Sequence, residues 1–324
     1  MTKIQKKYLN ILIKVGIVAL AMWFVFSKVS NQNNLLAFKK LIQNIDHTTM
    51  WFIIVVVFLL MFLNWFLEVV KWKFLARKIE ELSLWKATKS VFCGLTWAIF
   101  TPNRIGEYGG RIMVLKPEHR AKAAVSMGVG LFGQLVLTSV FGALSIAWFV
   151  TKFIDTPTPV DFGIWILAII YALAFVVLYF NVSWIDYLVG KIKFLQKIKP
   201  FFAVLEDYST KELAYVLWLS TCRFAIFTSQ YIILMLIILP ELPLVSMVLM
   251  IFIMFFIQSA LPTLDIFDFS VRSFVASNLY AYITTQEIAV MAIVSFVWFV
   301  NLIFPAIIGS FFVLNVNYIG DSKS

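Results

Sequence analysis

Long apolar runs recur along this chain, and each is long enough to cross a bilayer as a helix. Runs of about 18 or more apolar residues are typical of transmembrane helices. Only 14% of the residues are charged and 62% are hydrophobic, which excludes a soluble domain. The sequence therefore predicts an all-α polytopic membrane protein with residues 1–324 as a single membrane domain. Six spans are predicted at residues 10–27, 51–70, 122–150, 162–182, 212–239 and 287–314.

The positions of Lys and Arg predict the orientation of these spans. Basic residues concentrate in the cytoplasmic loops of membrane proteins. Segments 71–89 (from Lys71 onwards) and 183–211 are rich in Lys, whereas the other loops mix basic with acidic residues. We therefore expect both termini in the cytoplasm and the protein in the plasma or inner membrane. The net charge of +10 is spread over loops in this way, so membrane lipids rather than nucleic acid are the expected partners.

Redox, metal and cofactor chemistry have no support in the sequence. Cys93 and Cys222 are far apart in apolar surroundings, and His47 and His119 have no companion at ligand spacing. The phosphate-binding loop of nucleotide-driven pumps is also missing from the sequence. Neither a metal nor a cofactor is expected, and any transport would be passive or ion-coupled.

Two apolar stretches, 84–101 and 244–262, are too short or too interrupted for comfortable spans. We expect each to enter the membrane and return on the same side as a re-entrant segment, with the broken backbone buried by protein. The stretches are related by an offset of about 160 residues, which also relates two turns and two acid–arginine pairs. The matching residues are Leu84 and Leu244, Pro102 and Pro262, Glu107 and Asp268, and Arg111 and Arg272.

This offset predicts two repeat units, at about 51–150 and 212–314. Three full spans separate equivalent points, so the second unit would be inverted relative to the first. Inverted repeats are common in transporters, whose binding sites lie at the interface of the units.

The stretch "TPNRIGEYGGR" contains the strongest local signal in the chain. Thr101 and Pro102 suit the N-cap and first residue of a new helix. In that helix Glu107 and Arg111 would be i,i+4 neighbours in the favourable order. The glycines Gly106, Gly109 and Gly110 would allow close approach of another backbone or of a headgroup.

Arg104 and Arg111 could hold a phosphate through paired donors at this turn. The competing interpretation is a purely structural interfacial turn, in which Glu107 pairs with Arg111 and the arginines reach the cytoplasmic surface.

Arg223 is predicted near the middle of the fifth span, where an arginine is costly unless it is paired or hydrated. It could contact a headgroup on the translocation path, or belong to a hydrogen-bond network that only fixes helix packing. The repeat offset places it near Asn64. The expected partners of Arg223 are polar residues in apolar runs, namely Glu68, Gln134, Gln258 and Asn301. For the amides Asn64, Gln134, Gln258 and Asn301 a packing role is favoured.

This part of the chain resembles the signature of the lysylphosphatidylglycerol synthase transmembrane-region family, a flippase-like domain. The resemblance lies in the apolar stretch 84–101, the proline that follows it and the residues "PNRIGEYGGR". The resemblance covers nearly the whole chain, and the matching residues are Pro102, Arg104, Gly106, Glu107 and Arg111. The second turn, "LPTLDIFDFSVRSF", keeps Pro262 but lacks the glycines of the family. Family members that aminoacylate lipids carry a further cytosolic domain after the membrane region, whereas this chain ends at Ser324.

The resemblance implies lipid binding or translocation rather than lipid aminoacylation. The predicted substrate is a lipid with an anionic headgroup, either a phospholipid or a polyprenyl phosphate. Two alternatives remain: a membrane-embedded enzyme that acts on a lipid phosphate, with Glu107 as base, and a partner subunit of a lipid-modifying enzyme. The sequence leaves the oligomeric state open. The predicted substrate-binding residues are Arg104, Glu107, Arg111, Arg223, Asp268 and Arg272.

Overall fold

The computed structural model describes residues 32–99, 101, 104–191, 199–261 and 268–314. These ranges are helical and contain no strand, which confirms the all-α prediction. The predicted first span, Pro102 and Pro262 lie outside the described residues. The helices are α1 (Gln32–Gln43), α2 (His47–Ala76), α3 (Leu84–Ile99), α4 (Ile105–Ile112), α5 (Arg120–Phe153), α6 (Thr158–Phe180), α7 (Trp184–Lys191), α8 (Lys199–Phe202), α9 (Thr210–Ile238), α10 (Leu244–Ala260), α11 (Asp268–Tyr280), α12 (Glu287–Trp298) and α13 (Phe304–Val313).

Five helical segments in the described part of the chain are long and apolar enough to cross a membrane. They coincide with the five predicted spans that begin at residues 51, 122, 162, 212 and 287, and they identify an integral membrane protein. Helix α1 has no counterpart among the predicted spans. The five segments are His47–Ala76, Pro117–Phe153, Thr158–Phe180, Thr210–Ile238 and Glu287–Val313.

The two spans that carry the buried charges begin at strong local caps. The Asp46 carboxylate accepts hydrogen bonds from the backbone N–H groups of Thr48 and Thr49 at the start of α2. Ser209 and Glu212 form a reciprocal capping box at the start of α9. These caps fix the residue at which each helix begins.

Each of the two shorter apolar stretches forms one arm of an antiparallel helical hairpin. In the first hairpin, α3 and α4, the Ser90 hydroxyl donates to the carbonyl of Arg111 at 2.7 Å. The two backbones touch at Gly110, where an added Cβ would lie 2.6 Å from the carbonyl oxygen of Cys93. In the second hairpin, α10 and α11, the Tyr280 hydroxyl donates to the carbonyl of Met247 at 2.7 Å.

The hairpins pack reciprocally against the last span of the opposite predicted repeat unit. Helix α3 packs on α13, where the Thr96 hydroxyl donates to the carbonyl of Ala306 at 2.9 Å. Helix α10 packs on α5, where a Cβ on Gly142 would lie 2.7 Å from Cγ of Phe256. Helices α2 and α9, which open the two units, pack against each other.

The last span is interrupted by a π-helical segment, Phe299–Ile303, between α12 and α13. Pro305 has no N–H to bond the carbonyl four residues earlier, which belongs to Asn301. The indole N–H of Trp65 donates to that carbonyl at 3.2 Å. The interruption therefore ties the last span to α2 at the level of Asn301, and π segments of this kind are frequent at functional sites.

Glu80, in the loop between α2 and α3, joins the two open ends of the first hairpin. Lys86 at the start of α3 donates to one oxygen of its carboxylate. The other oxygen accepts from the backbone N–H of Lys116 at 3.1 Å and lies 2.9 Å from Nδ1 of His119. Partial burial on its own raises the pKa of Glu80, but these hydrogen bonds outweigh it and lower the pKa from 4.5 to about 2.

Candidate functional site

The turn before α4 differs from its predicted form. The expectation that Thr101 and Pro102 begin the helix is wrong, because α4 begins at Ile105 with Arg104 as its N-cap. Arg104 has a left-handed backbone conformation with φ of 56°, which is uncommon outside glycine. Thr101 still caps the helix from before this turn, since its hydroxyl accepts from the N–H of Gly106 at 2.7 Å.

The predicted pairing of Glu107 with Arg111 on α4 is confirmed. One guanidinium nitrogen of Arg111 donates to Glu107 Oε1, and another donates to Oε1 of Glu68 on α2 at 2.6 Å. The second oxygen of Glu107 lies 2.8 Å from Nε of Arg104. Arg111 is only 2% exposed and therefore lies inside the protein, between two carboxylates.

Glu68 is the centre of the buried charge network. Besides Arg111, it binds Lys71, whose Nζ lies 2.8 Å from Oε2, and a guanidinium nitrogen of Arg223 on α9. Arg223 also donates through Nε to the backbone and side-chain oxygens of Asn64, at 3.1 and 2.9 Å. This confirms Glu68 as an expected partner of Arg223 and confirms that Arg223 lies near Asn64.

Lys71 corrects one further expectation. The sequence placed it at the start of a cytoplasmic basic segment, but α2 continues to Ala76 and Lys71 is 1% exposed. Its position three residues after Glu68 puts both side chains on one face of α2, which is turned toward the protein interior.

The network carries more positive than negative charge. Four cationic side chains contact two carboxylates, which leaves two positive charges in surplus. Three of these cations are buried, whereas 37% of the Arg104 side chain is exposed. Net positive charge inside an apolar bundle is costly. The surplus therefore favours binding of an anion beside the network. Its cations are Arg104, Lys71, Arg111 and Arg223, and its carboxylates are Glu68 and Glu107.

The second hairpin repeats the acid–arginine arrangement of the first. On α11, Nε of Arg272 lies 2.5 Å from Oδ2 of Asp268, four residues earlier. Glu107 and Arg111 have the same spacing on α4. The second pair is formed although the glycines of the first turn have no counterpart here.

A cavity of about 340 Å³ lies where the tips of the two hairpins meet α2, α5, α9 and the last span. Its charged lining consists of Arg104 and Glu107 from the first hairpin, Arg272 from the second, and Arg223 from α9. Arg111 and Asp268 lie behind this lining as partners of Glu107 and Arg272. The structure thus brings four of the six predicted binding residues to one cavity.

The rest of the cavity wall is largely aromatic and apolar. Trp65 supports Arg223, with its ring centre 5.1 Å from the guanidinium carbon. Phe224, Phe227 and Phe255 continue the wall away from the charges. Arginines suit phosphate oxygens and an aromatic wall suits hydrocarbon, so the cavity matches both parts of an anionic lipid.

All four amides expected to have packing roles also line the cavity, namely Asn64, Gln134, Gln258 and Asn301. Packing is confirmed for Asn301, whose Nδ2 donates to Oε1 of Gln230 at 2.8 Å and to the carbonyl of Val297 at 3.0 Å.

Lys71 is the member of the network that the sequence did not single out, and Glu68 was considered only as a partner. Their spacing of three residues in an otherwise apolar run was the available signal.

In the described ranges, no group of three or more His, Cys, Asp and Glu side chains could hold a metal ion.

Comparison with known protein families identifies the family of this chain. The sequence profile described as "Lysylphosphatidylglycerol synthase TM region" matches residues 11–309, which includes every residue of the charge network and of the cavity. No curated protein and no solved structure matches the chain.

Proposed function

Because the chain belongs to the lysylphosphatidylglycerol synthase transmembrane-region family, we propose that it binds a lipid with an anionic headgroup in this cavity and carries it between the leaflets. The observation that carries the proposal is the cavity lining itself. Three arginines and a single carboxylate line it in the described part of the chain, inside a bundle of apolar helices. A phosphate there would neutralise the surplus charge and form charge-assisted hydrogen bonds with the guanidinium groups.

The two hairpins are proposed to be re-entrant segments of an inverted repeat. Their antiparallel arms, their acid–arginine pairs and their reciprocal packing on the opposite unit support this arrangement. In such a repeat one hairpin enters from each side of the membrane, and their tips meet near the midplane.

This arrangement accounts for how a headgroup could reach the cavity from either leaflet. Opening the first hairpin would admit a headgroup from the cytoplasmic side, toward Arg104. Opening the second would release it past Arg272 to the outside. The proposed orientation has both termini in the cytoplasm and the protein in the plasma or inner membrane, as the loop charges predict.

Reconstituted liposomes test the proposal directly. The full chain would be incorporated with fluorescent phosphatidylglycerol, and flipping would be followed by quenching of the outer leaflet. We expect flipping by the wild type, much slower flipping by Arg272→Gln, and wild-type flipping by Lys40→Gln, a control at an exposed position of α1.

The same samples separate the two alternatives. A covalently altered lipid, detected by mass spectrometry, would favour a membrane-embedded enzyme. Wild-type protein that neither binds nor flips the lipid would favour a partner subunit and contradict the proposal.

A further inference from the structure

Lys71 is the one cation of the buried charge network that can lose its proton. The other buried cations, Arg111 and Arg223, are guanidinium groups, which stay charged in proteins. Lys71 is 1% exposed, and its Nζ lies 2.8 Å from Glu68 Oε2 and 3.4 Å from the carbonyl oxygen of Gly130 on α5. A neutral amine has two N–H groups, so it can make both contacts as an ammonium group does. Both protonation states therefore fit the same site.

The proton on Lys71 decides the charge balance of the buried network. Among the described residues, the network has three buried cations and two buried carboxylates, while Arg104 is partly exposed at its edge. With Lys71 charged, one buried positive charge is in excess. Loss of the proton leaves two guanidinium groups against two carboxylates and removes the excess. A bound anion with a single negative charge removes it equally well, so that the charged lysine and the bound anion stabilise each other.

Arg223 connects Lys71 to the cavity. Its guanidinium lines the cavity and binds Oε2 of Glu68, which is the oxygen that Lys71 also binds. The other oxygen of Glu68 binds Arg111, whose second carboxylate partner, Glu107, lines the cavity as well. An anion at Arg223 therefore acts on Lys71 through one shared carboxylate.

The neighbours of Lys71 on the other elements do not compete for this proton. Arg111 on α4 and Arg223 on α9 do not titrate, and three cations hold Glu68 as a carboxylate. One turn further along α2, the Tyr208 hydroxyl donates to the carbonyl of Leu75, and burial raises the pKa of Tyr208 to about 12. Helices α3 and α5 present uncharged partners on this side of α2, namely Ser90 to Trp72 and the Gly130 carbonyl to Lys71.

We propose that Lys71 takes up one proton when a lipid phosphate binds in the cavity, so that the protein carries the lipid together with a proton. This inference rests on the proposed lipid-carrying function and names the ion to which that function is coupled. The proton comes from water and binds the lone pair of Nζ, and it leaves when the headgroup leaves. The phosphate and the proton together carry no net charge, so the membrane potential does not oppose their movement.

Calorimetric titration of the purified full chain with short-chain phosphatidylglycerol tests the inference. At each pH of a series, two buffers with different heats of ionisation are compared, and the difference in binding heat counts the protons exchanged. The phosphodiester of this lipid stays ionised near neutral pH, so the uptake belongs to the protein. We expect uptake that approaches about one proton per bound lipid. Binding should then weaken as pH rises, by up to about tenfold per pH unit where the proton is taken up.

Lys71→Arg is the diagnostic variant, because it keeps the positive charge but cannot release a proton near neutral pH. It should bind the lipid without proton uptake, and its affinity should not depend on pH over the series. Lys73→Arg makes the same change two residues later, at an exposed position, and should behave like the wild type. Lys71→Met, which carries no charge, should also show no uptake and serves where the larger arginine unfolds the protein.

Liposomes with a pH gradient extend the test to transport. The wild type and Lys73→Arg should enrich fluorescent phosphatidylglycerol in the leaflet on the alkaline side, because the accompanying proton runs down its gradient. Lys71→Arg should not enrich the lipid on either side.

The possible failures are distinguishable. Lipid binding without proton uptake at every pH of the series, or equal uptake by Lys71→Arg and the wild type, would overturn the proton coupling and leave lipid binding in place. Flipping by the wild type without enrichment in the gradient would overturn the coupling as well. Absence of any lipid binding would overturn the proposed function itself.

Discussion

The Arg223 guanidinium and the Glu68 carboxylate form a buried ion pair between residues 155 positions apart in the chain. The pair joins α9 to α2, the opening helices of the two predicted repeat units. Through Glu68 it also reaches Arg111 on the first hairpin. The same carboxylate therefore connects the two halves of the bundle and holds the wall of the cavity in place.

Replacing Glu68 by Gln should strongly destabilise the protein, because Lys71, Arg111 and Arg223 would lose their common counter-charge. Breaking a buried ion pair from one side costs about 3–5 kcal/mol. Thermal unfolding in detergent should show a large drop in melting temperature for Glu68→Gln. Glu81→Gln makes the same change at an exposed loop residue and should melt like the wild type. Equal melting temperatures for both variants would contradict the buried network.

Gly110 and Gly109 should respond oppositely to the same substitution. A Cβ at Gly110 would lie 2.6 Å from the Cys93 carbonyl oxygen, whereas a Cβ at Gly109 would meet nothing within 4 Å. Gly110→Ala should therefore cost about 1–3 kcal/mol by overpacking the hairpin. Gly109→Ala should be neutral or should stabilise α4 by about 0.5–1 kcal/mol. Thermal unfolding measures both, and similar shifts for the two variants would show that α3 and α4 do not touch at Gly110.

Glu80 should make the stability of the hairpin depend on acidic pH. Its pKa falls from 4.5 to about 2 in the folded protein, so its stabilising effect is complete above about 4.5. That contribution is lost as pH falls from about 4.5 through about 2. The difference in melting temperature between wild type and Glu80→Gln should be constant near neutral pH and narrow over this range. A difference that is independent of pH would mean that the carboxylate does not make these contacts.

The inverted repeat predicts that Glu118 and Thr285 lie on opposite sides of the membrane. Both are exposed, whereas Ser277, on α11 just before Thr285, is buried and unsuitable for labelling. Cysteines at the two positions should react with an impermeant thiol reagent, Thr285→Cys from outside and Glu118→Cys only after permeabilisation. The protein without added cysteine corrects for Cys93 and Cys222. Labelling from the same side would exclude the inverted arrangement.

Apolar run length and the spacing of charged residues predict much of this architecture. The spans can be predicted from the sequence because a run of about 18 apolar residues is enough to recognise a transmembrane helix. The Glu107–Arg111 pair can be predicted from the spacing of neighbours on a helix. The role of Glu68 cannot be predicted in this way, because it depends on contacts between helices that are distant in sequence. The sequence places Lys71 in a loop for a related reason, because a lysine usually ends an apolar run and only its pairing with Glu68 accounts for its burial.

The local turn was also harder to predict than the spans. Thr and Pro in succession favour a helix start, but the left-handed conformation of Arg104 delays α4 until Ile105. No residue preference indicates such a conformation at an arginine. The sequence identifies Arg104, Arg223 and Arg272 one by one as site residues. That they line one cavity could not be predicted, because their proximity depends on how both hairpins pack.

The central claim is that an anionic lipid headgroup occupies the cavity between the hairpin tips, and native mass spectrometry of the purified protein tests it most directly. Arg104→Asn removes a cavity cation while keeping a residue that tolerates the left-handed backbone, and Lys39→Asn removes an exposed charge on α1 as the control. We predict that the wild type and Lys39→Asn retain a bound anionic lipid and that Arg104→Asn retains about tenfold less, in keeping with the loss of a charge-assisted hydrogen bond. Equal retention of that lipid by Arg104→Asn and the wild type would contradict the account.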